Sequence, residues 1–479
     1  MKRPAALSRT LALLAFSGAL AAQAEDPIWK SGSVRACWFR ANITCKVGDL
    51  LSGYGQNDVS VEKLDDLEAC GLCLDDGERK AMIVSFDLLG MNRELASAIR
   101  RELANIIGTT EERVLLSCTH THGGPNTRSG IVRDSTTVRR TPPNEPYLNG
   151  MTNAVYAKAR EMIAKNDWKT CRVGFYSSQV DENRNRRYTT PDNCTAAAEY
   201  RRVLLDINKA IADKELGLVV LIDGDTLRPR YLIGNYAAHA LASHAPGRGG
   251  YRITADYPGV FRRHILQEMG CEAMFITGAS GDVVPKENEV GVEGARRTGI
   301  NLAKAAMGDF LDVQRGDQRF LLKEPKLGAC FTSLDVPLNA RFAKLYGKAN
   351  QIVEFQCLAV GDVAIVGVPG ELTSALGLEI KWHSPFMRTF VAYNSTDYLS
   401  YVLPLHETCS GGYEPQLQRI RSRYSLNAVL AVQGALIDLR EQLFPTPADA
   451  VDPYPDYIDP PLFNLPGGYK PSKWSSFQK

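Results

Sequence analysis

Between Val34 and Leu311 short apolar runs alternate with stretches of helical period, and this alternation confines the chain to an α/β fold. Lys80 to Asp87 reads as a buried strand, Arg93 to Ile107 as an amphipathic helix, and Val114 to Cys118 as the next strand. Leu216 to Ile222 and Tyr231 to Tyr236 flank the acidic turn Asp223-Gly-Asp225 as a hairpin, and Ala273 to Thr277 is a strand entering a glycine-rich loop. Further on, Gln356 to Val360 and Val363 to Val368 pair around Gly361-Asp362. Pro369-Gly370 then turns the chain into a helix beginning near Glu371, and Thr389 to Tyr393 forms another strand. The expected architecture is one of mixed sheets flanked by helices, with the working residues at the C-terminal ends of strands.

The chain ends differ from this body. Lys2, Arg3 and Arg9 precede an apolar stretch from Leu11 to Ala22, and Ala22-Gln23-Ala24 suits a signal peptidase, so residues 1–24 read as a leader and the protein as exported, periplasmic or secreted. An uncleaved N-terminal anchor is the rival reading. No later stretch is apolar for long enough to span a bilayer. Residues 25–444 form the expected catalytic domain. The segment 445–479 holds 8 of the 25 prolines and reads as an extended tail. Against 56 basic residues stand 54 acidic ones, which leaves no footprint for nucleic acid or an anionic membrane. All 11 cysteines lie beyond the leader, where export favours a disulfide or two; Cys70 and Cys73 are the one close pair.

Five polar clusters follow five of the expected strands. The first is Thr119-His-Thr-His-Gly-Gly-Pro125. In extended chain His120 and His122 would point to one face, as two metal ligands or as one ligand and one acid/base. The second holds His239, with His244 close behind it; the third, Gly278-Ala-Ser-Gly-Asp-Val-Val-Pro285, carries Asp282 in a turn without the lysine of a phosphate loop, where it could equally cap backbone amides. The fourth places Glu371 at a helix start, where the helix dipole alone would favour a carboxylate. The fifth runs from Asn394 to Tyr401, with Tyr413 twelve residues on. Together they supply imidazoles, carboxylates and phenols, a donor set suited to Zn²⁺ with a position left for water. Such a centre polarises a carbonyl and activates water, which is hydrolytic chemistry.

Thr119 to Pro125, Tyr236-Ala-Ala-His239, Gly281-Asp-Val-Val-Pro285, Pro369-Gly-Glu371 and Asp397-Tyr-Leu-Ser-Tyr401 occur in the order found in the neutral/alkaline non-lysosomal ceramidases. Ala41 to Thr44, Gly53-Tyr-Gly55 and Val84 to Gly90 also look like that family's N-terminal pattern, so the resemblance spans about Val34 to Leu443. It implies zinc held by His120, His239, Glu371 and Tyr401, with His122 beside the reacting water and Tyr413 as a second active-site tyrosine. It also implies an active-site arginine in Asn183-Arg-Asn-Arg-Arg187, Arg186 or alternatively Arg184, and a catalytic Asp282. Two features depart from the family. Its Gly-Asp-Val-Ser-Pro motif has Val284 in the serine's place, and its C-terminal immunoglobulin-like domain is replaced by the proline-rich tail.

The resulting expectation is an exported zinc hydrolase cleaving an amide of a small-molecule or lipid-like substrate. The alternatives are hydrolysis of a non-lipid acyl or glycan-linked compound, or a non-catalytic metal-binding protein of the same fold.

Overall fold

The computed structural model describes residues 32–445, apart from 54–58, 129, 134–137, 142, 188–210, 225, 227, 242–250 and 315–320. The expected leader and the tail beyond Pro445 lie outside the described residues, as do His244 and Cys194.

Eight strands build the larger sheet: β1 (Ser33–Asn42), β2 (Glu68–Asp75), β3 (Lys80–Phe86), β4 (Val114–Cys118), β5 (Lys169–Gln179), β6 (Glu215–Asp223), β7 (Pro229–Tyr236) and β8 (Glu272–Thr277). Their order is β8-β7-β6-β5-β1-β2-β3-β4, with only β7–β8 and β3–β4 parallel. A second sheet runs β9 (Leu327–Pro337), β10 (Asn350–Val360), β11 (Val363–Gly367), β12 (Arg388–Ala392), its last pair parallel.

The sheets pack face to face. Val34, Leu72, Val219 and Ile233 of the first meet Leu358, Ile365 and Phe390 of the second in one apolar layer. Helices cover the outer faces. On the large sheet lie α1 (Arg93–Ile107), α2 (Glu145–Lys165), α3 (Asp256–Met269) and α4 (Val292–Gln314); on the small sheet lie α5 (Ser374–Trp382) and α6 (Ser425–Leu443). The expected α/β class with mixed sheets and flanking helices is therefore what forms. Helix α1 has the bounds read from its periodicity, because both its ends are chemically marked. The Asn92 side chain accepts from Leu95 N–H, and Gly108 closes the helix in the left-handed region.

Two local expectations fail. Glu371 does not open a helix; Glu371–Leu372 is a two-residue strand pairing in parallel with Tyr401–Val402, and α5 starts only at Ser374. No disulfide forms among the described cysteines. Cys70 and Cys73 are three apart on β2 and so face opposite sides, Cys70 toward the inter-sheet layer and Cys73 toward α1 and α2.

Although β4 and β8 are opposite edges of the large sheet, its curl brings their C-terminal ends together with the end of β12. Thr277 Oγ1 donates to Thr119 O (2.8 Å), Tyr393 N donates to Thr277 O (2.9 Å), and Ser85 Oγ donates to Phe275 O. The strand ends that carry the polar clusters thus converge on one place.

Candidate metal centre

His120 follows β4 directly, but its φ of +62° puts it in the left-handed region, so the chain there is bent rather than extended. Strand alternation therefore does not decide where His120 and His122 point, yet their rings still come together, with centroids 5.1 Å apart. The strained residue is held by its N–H on Leu88 O (3.0 Å), and Thr119 beside it donates to Asp87, which a buried Arg262 grips with two nitrogens. His122 fits because residue 53 is glycine at φ +112°; a Cβ there would lie 2.3 Å from His122 Nδ1.

His239 follows β7, and its ring centroid lies 4.7 Å from that of His120. Its Nδ1 is 2.6 Å from Ser280 O and 3.1 Å from Val283 O. His120 Nδ1 is 2.8 Å from Leu89 O, a carbonyl that Asn394 also reaches. A carbonyl only accepts, so His239 Nδ1 carries the proton and its Nε2 presents a lone pair; His120 Nδ1 lies 2.8 Å from the Asn394 amide nitrogen as well as from the carbonyl. Both Nε2 atoms face Glu371 Oε2, at 3.5 Å from His120 and 3.3 Å from His239. Tyr398 donates to Glu371 Oε1 and Tyr393 to Oε2 (3.3 Å), so the carboxylate is held in place from its far side. His120, His122 and His239, all buried, have ring nitrogens within 4.8 Å of one another and could hold a metal ion.

The electrostatics match. Burial, then Arg186, lowers the His239 pKa to about 4, and burial, then the other two imidazoles, pulls His122 well below its ordinary value. Burial alone would raise Glu371, but His120 and His239 outweigh it and leave the carboxyl well below the usual range. Imidazole nitrogens gathered around a carboxylate form a donor set that suits a divalent cation.

Tyr401 stands in register beside Glu371, and its phenol oxygen accepts from Arg186 Nη2 (3.0 Å). Arg186 also bonds Gly281 O and Glu414, and Tyr413 packs edge-on to Tyr401 with centroids 5.8 Å apart. Arg184 faces away, 3.5 Å from Glu289, so of the two arginines only Arg186 reaches the cluster. Asp282 acts as a brace: Oδ1 accepts from Ser374 N (2.7 Å) at the start of α5, and Oδ2 accepts from Asn185 (2.6 Å). The backbone-capping reading of Asp282 thus holds, with an amide from another segment, and its burial raises its pKa to about 6.

Val284 is buried in a two-stranded ribbon opposite Arg184, next to the Val283 carbonyl that braces His239. Sequence reasoning missed Tyr393, Tyr398, Asn394 and Glu414. Asn394 and Tyr398 lie in the fifth cluster, Tyr393 closes the strand before it and Glu414 follows Tyr413, but nothing in a sequence says which of several tyrosines turns toward a carboxylate.

Among solved structures, neutral ceramidase from Pseudomonas aeruginosa superposes with a TM-score of 0.67 at 16% identity, covering 87% of this chain and 76% of that one. A ceramidase complexed with C2 gives 0.66 at 15% identity, over 86% and 76%. No protein-family model and no curated protein matches the sequence. The chain has the neutral-ceramidase fold, as the ordered motifs implied.

Proposed function

We propose that the protein is an exported zinc-dependent hydrolase that cleaves an amide, with His120, His239, Glu371 and Tyr401 as ligands. The observation that carries this is the convergence of two buried imidazole Nε2 atoms on one carboxylate oxygen at 3.3 and 3.5 Å. Nitrogen and oxygen donors in this number, all buried, suit zinc. The fold likeness to ceramidases supports the amide reading.

Zinc bound there would polarise the scissile carbonyl and acidify a water molecule. His122, neutral and beside the two other imidazoles, accepts the proton of the attacking water. As the water oxygen bonds to the carbonyl carbon and the C–N bond breaks, His122 returns that proton to the leaving nitrogen. Arg186 orients the Tyr401 phenol, and Asp282 and Gly281 hold the ribbon that supports His239 and Glu371.

Metal analysis of the purified full chain tests this. About one zinc per chain is expected, falling sharply in His120→Ala and His239→Ala. Full metal content in both variants would refute the ligand set. A zinc-loaded protein inert toward a broad panel of amides, esters and glycosides would favour the non-catalytic metal-binding reading.

A further inference from the structure

The cations around this centre are matched to carboxylates. Arg186 and Arg187 share Glu414, Arg262 holds Asp87, and Lys381 lies between Asp213 and Glu215. Arg128 stands apart. It follows the His120–Pro125 segment, and its guanidinium lies face-down on the Tyr398 ring, 3.5 Å from the centroid. Tyr398 in turn donates to Glu371 and stacks near His120 at 6.5 Å, so Arg128 is one aromatic ring removed from the ligand carboxylate.

Among the described residues Arg128 makes no ion pair, and its Nε is buried without a hydrogen-bond partner. Burial lowers its pKa and the nearby Arg419 adds to this, against the opposing pull of the Tyr398 phenol and of Glu371 beyond it. Arg419 makes no ion pair among the described residues either; it lines a cavity of about 460 Å³ with Arg93, Gln351 and Asp397, and Asp397 is the chain neighbour of Tyr398. Stacking on Tyr398 satisfies the flat face of Arg128 and leaves the edge, where its donors project, for a planar or tetrahedral oxyanion.

We propose that Arg128 is a substrate-recognition residue and that the substrate of this site carries an oxyanion group, a carboxylate or its sulfate or phosphate equivalent, near the scissile amide. This rests on the hydrolase reading and narrows it. A neutral lipid amide offers nothing to an unpaired guanidinium, whereas an N-acyl amino acid places a carboxylate a few bonds from the carbonyl. A desolvated arginine–carboxylate pair is among the stronger polar contacts available to a binding site.

The test uses the zinc-loaded full chain and two matched probes, N-octanoylglycine and N-octanoylglycinamide, which differ only in the charge. Wild type should prefer the glycine probe by about 30-fold or more in kcat/KM, chiefly through KM. Arg128→Gln should lose at least ten times more on the glycine probe than on the glycinamide probe, and Arg128→Lys should recover part of the difference, since it keeps the charge without the fork. Equal handling of the probes by wild type would overturn the proposal. So would an equal fall on both probes in Arg128→Gln, which would make Arg128 a brace for Tyr398. If neither probe is turned over, the hydrolase reading suffers separately. The same comparison is then read as Kd by calorimetry, where the preference must appear in wild type and vanish in Arg128→Gln, or the proposal falls. Inorganic sulfate binding to wild type as tightly as the glycine probe would assign the site to a free oxyanion and overturn the substrate reading.

Discussion

At the scale of single residues, each imidazole is defined by what its other nitrogen touches. His120 and His239 spend Nδ1 on backbone carbonyls and aim Nε2 at Glu371, whereas His122 is seated by the absence of a side chain at Gly53. Their roles should therefore separate. Glu371→Gln should weaken metal binding by removing the charge that faces the cation, while His122→Ala should keep the metal and lose about a hundredfold or more in turnover. Parallel metal loss in both variants would move His122 among the ligands. Val284 is the other informative residue, since an apolar side chain stands where the motif it resembles has a serine hydroxyl. Wild type should hydrolyse ceramide poorly while turning over another amide in a zinc-dependent manner; efficient ceramide cleavage would show the hydroxyl to be dispensable here. The pH dependence of the metal-free protein has a definite sign. His239, lowered to about 4, refuses a proton that the unfolded chain takes up below 6.5, so it costs stability as pH falls through that window. Asp282, raised to about 6, keeps a proton that the unfolded chain has lost above 3.8, so it adds stability as pH falls below 6. Asp282→Asn removes the second effect. Thermal midpoints between pH 7 and 4.5 should then drop more steeply than in wild type, and an unchanged slope would contradict this assignment.

The elements were legible where local chemistry decides them and obscure where distant contacts do. Helix α1, the hairpin β6–β7 and the strands β3, β4, β8 and β12 carry their own periodicity and caps, and they form within a residue or two of where the pattern places them. The Glu371 segment was misread because Pro369-Gly370 resembles a helix start, whereas pairing with Tyr401–Val402, thirty residues away, draws it into a strand. The five clusters were visible as clusters, since each follows a strand. That β4, β8 and β12 would meet at one point depends on the curl of an eight-stranded sheet, which no local pattern encodes. A single methyl group probes that meeting. A Cβ on Gly281 would lie 2.7 Å from Glu371 O, backbone that cannot swing aside, and Gly281 N also bonds Leu372 O (2.8 Å). Gly281→Ala should push the ribbon and Glu371 apart and weaken zinc binding by about tenfold or more, the scale of lost support around a ligand. On α6 the same substitution has the opposite sign. Nothing lies within 4 Å of a Cβ on Gly434, so Gly434→Ala should raise stability by about 0.5–1 kcal/mol through helix propensity, read from denaturant midpoints. A Gly281→Ala protein with full metal affinity would show that the ribbon gives way without moving Glu371.

At the scale of the whole molecule, the proposed donor set is divided between the two sheets. His120 and His239 extend from β4 and β7 of the large sheet, while Glu371 and Tyr401 belong to the chain leaving β11 and β12 of the small one. Below the site, both sheets contribute to one apolar layer through Val219, Ile233, Leu358, Ile365 and Phe390, so neither can lose its inner face without exposing the other's. A cation bound between them is linked to the packing of that layer, and removing it withdraws stabilisation from both sheets together. A ligand present at a thousand times its Kd contributes about 4 kcal/mol if it binds only the folded chain. Stripping zinc with a chelator should therefore lower the midpoint of a single calorimetric transition, and restoring zinc should return it. A site confined to one sheet would behave differently: two transitions would appear and only one would respond to the metal. Among the described residues no helix is long and apolar enough to cross a membrane. A midpoint indifferent to zinc, in a protein that demonstrably binds it, would mean that the ion sits on a preformed scaffold and bridges nothing.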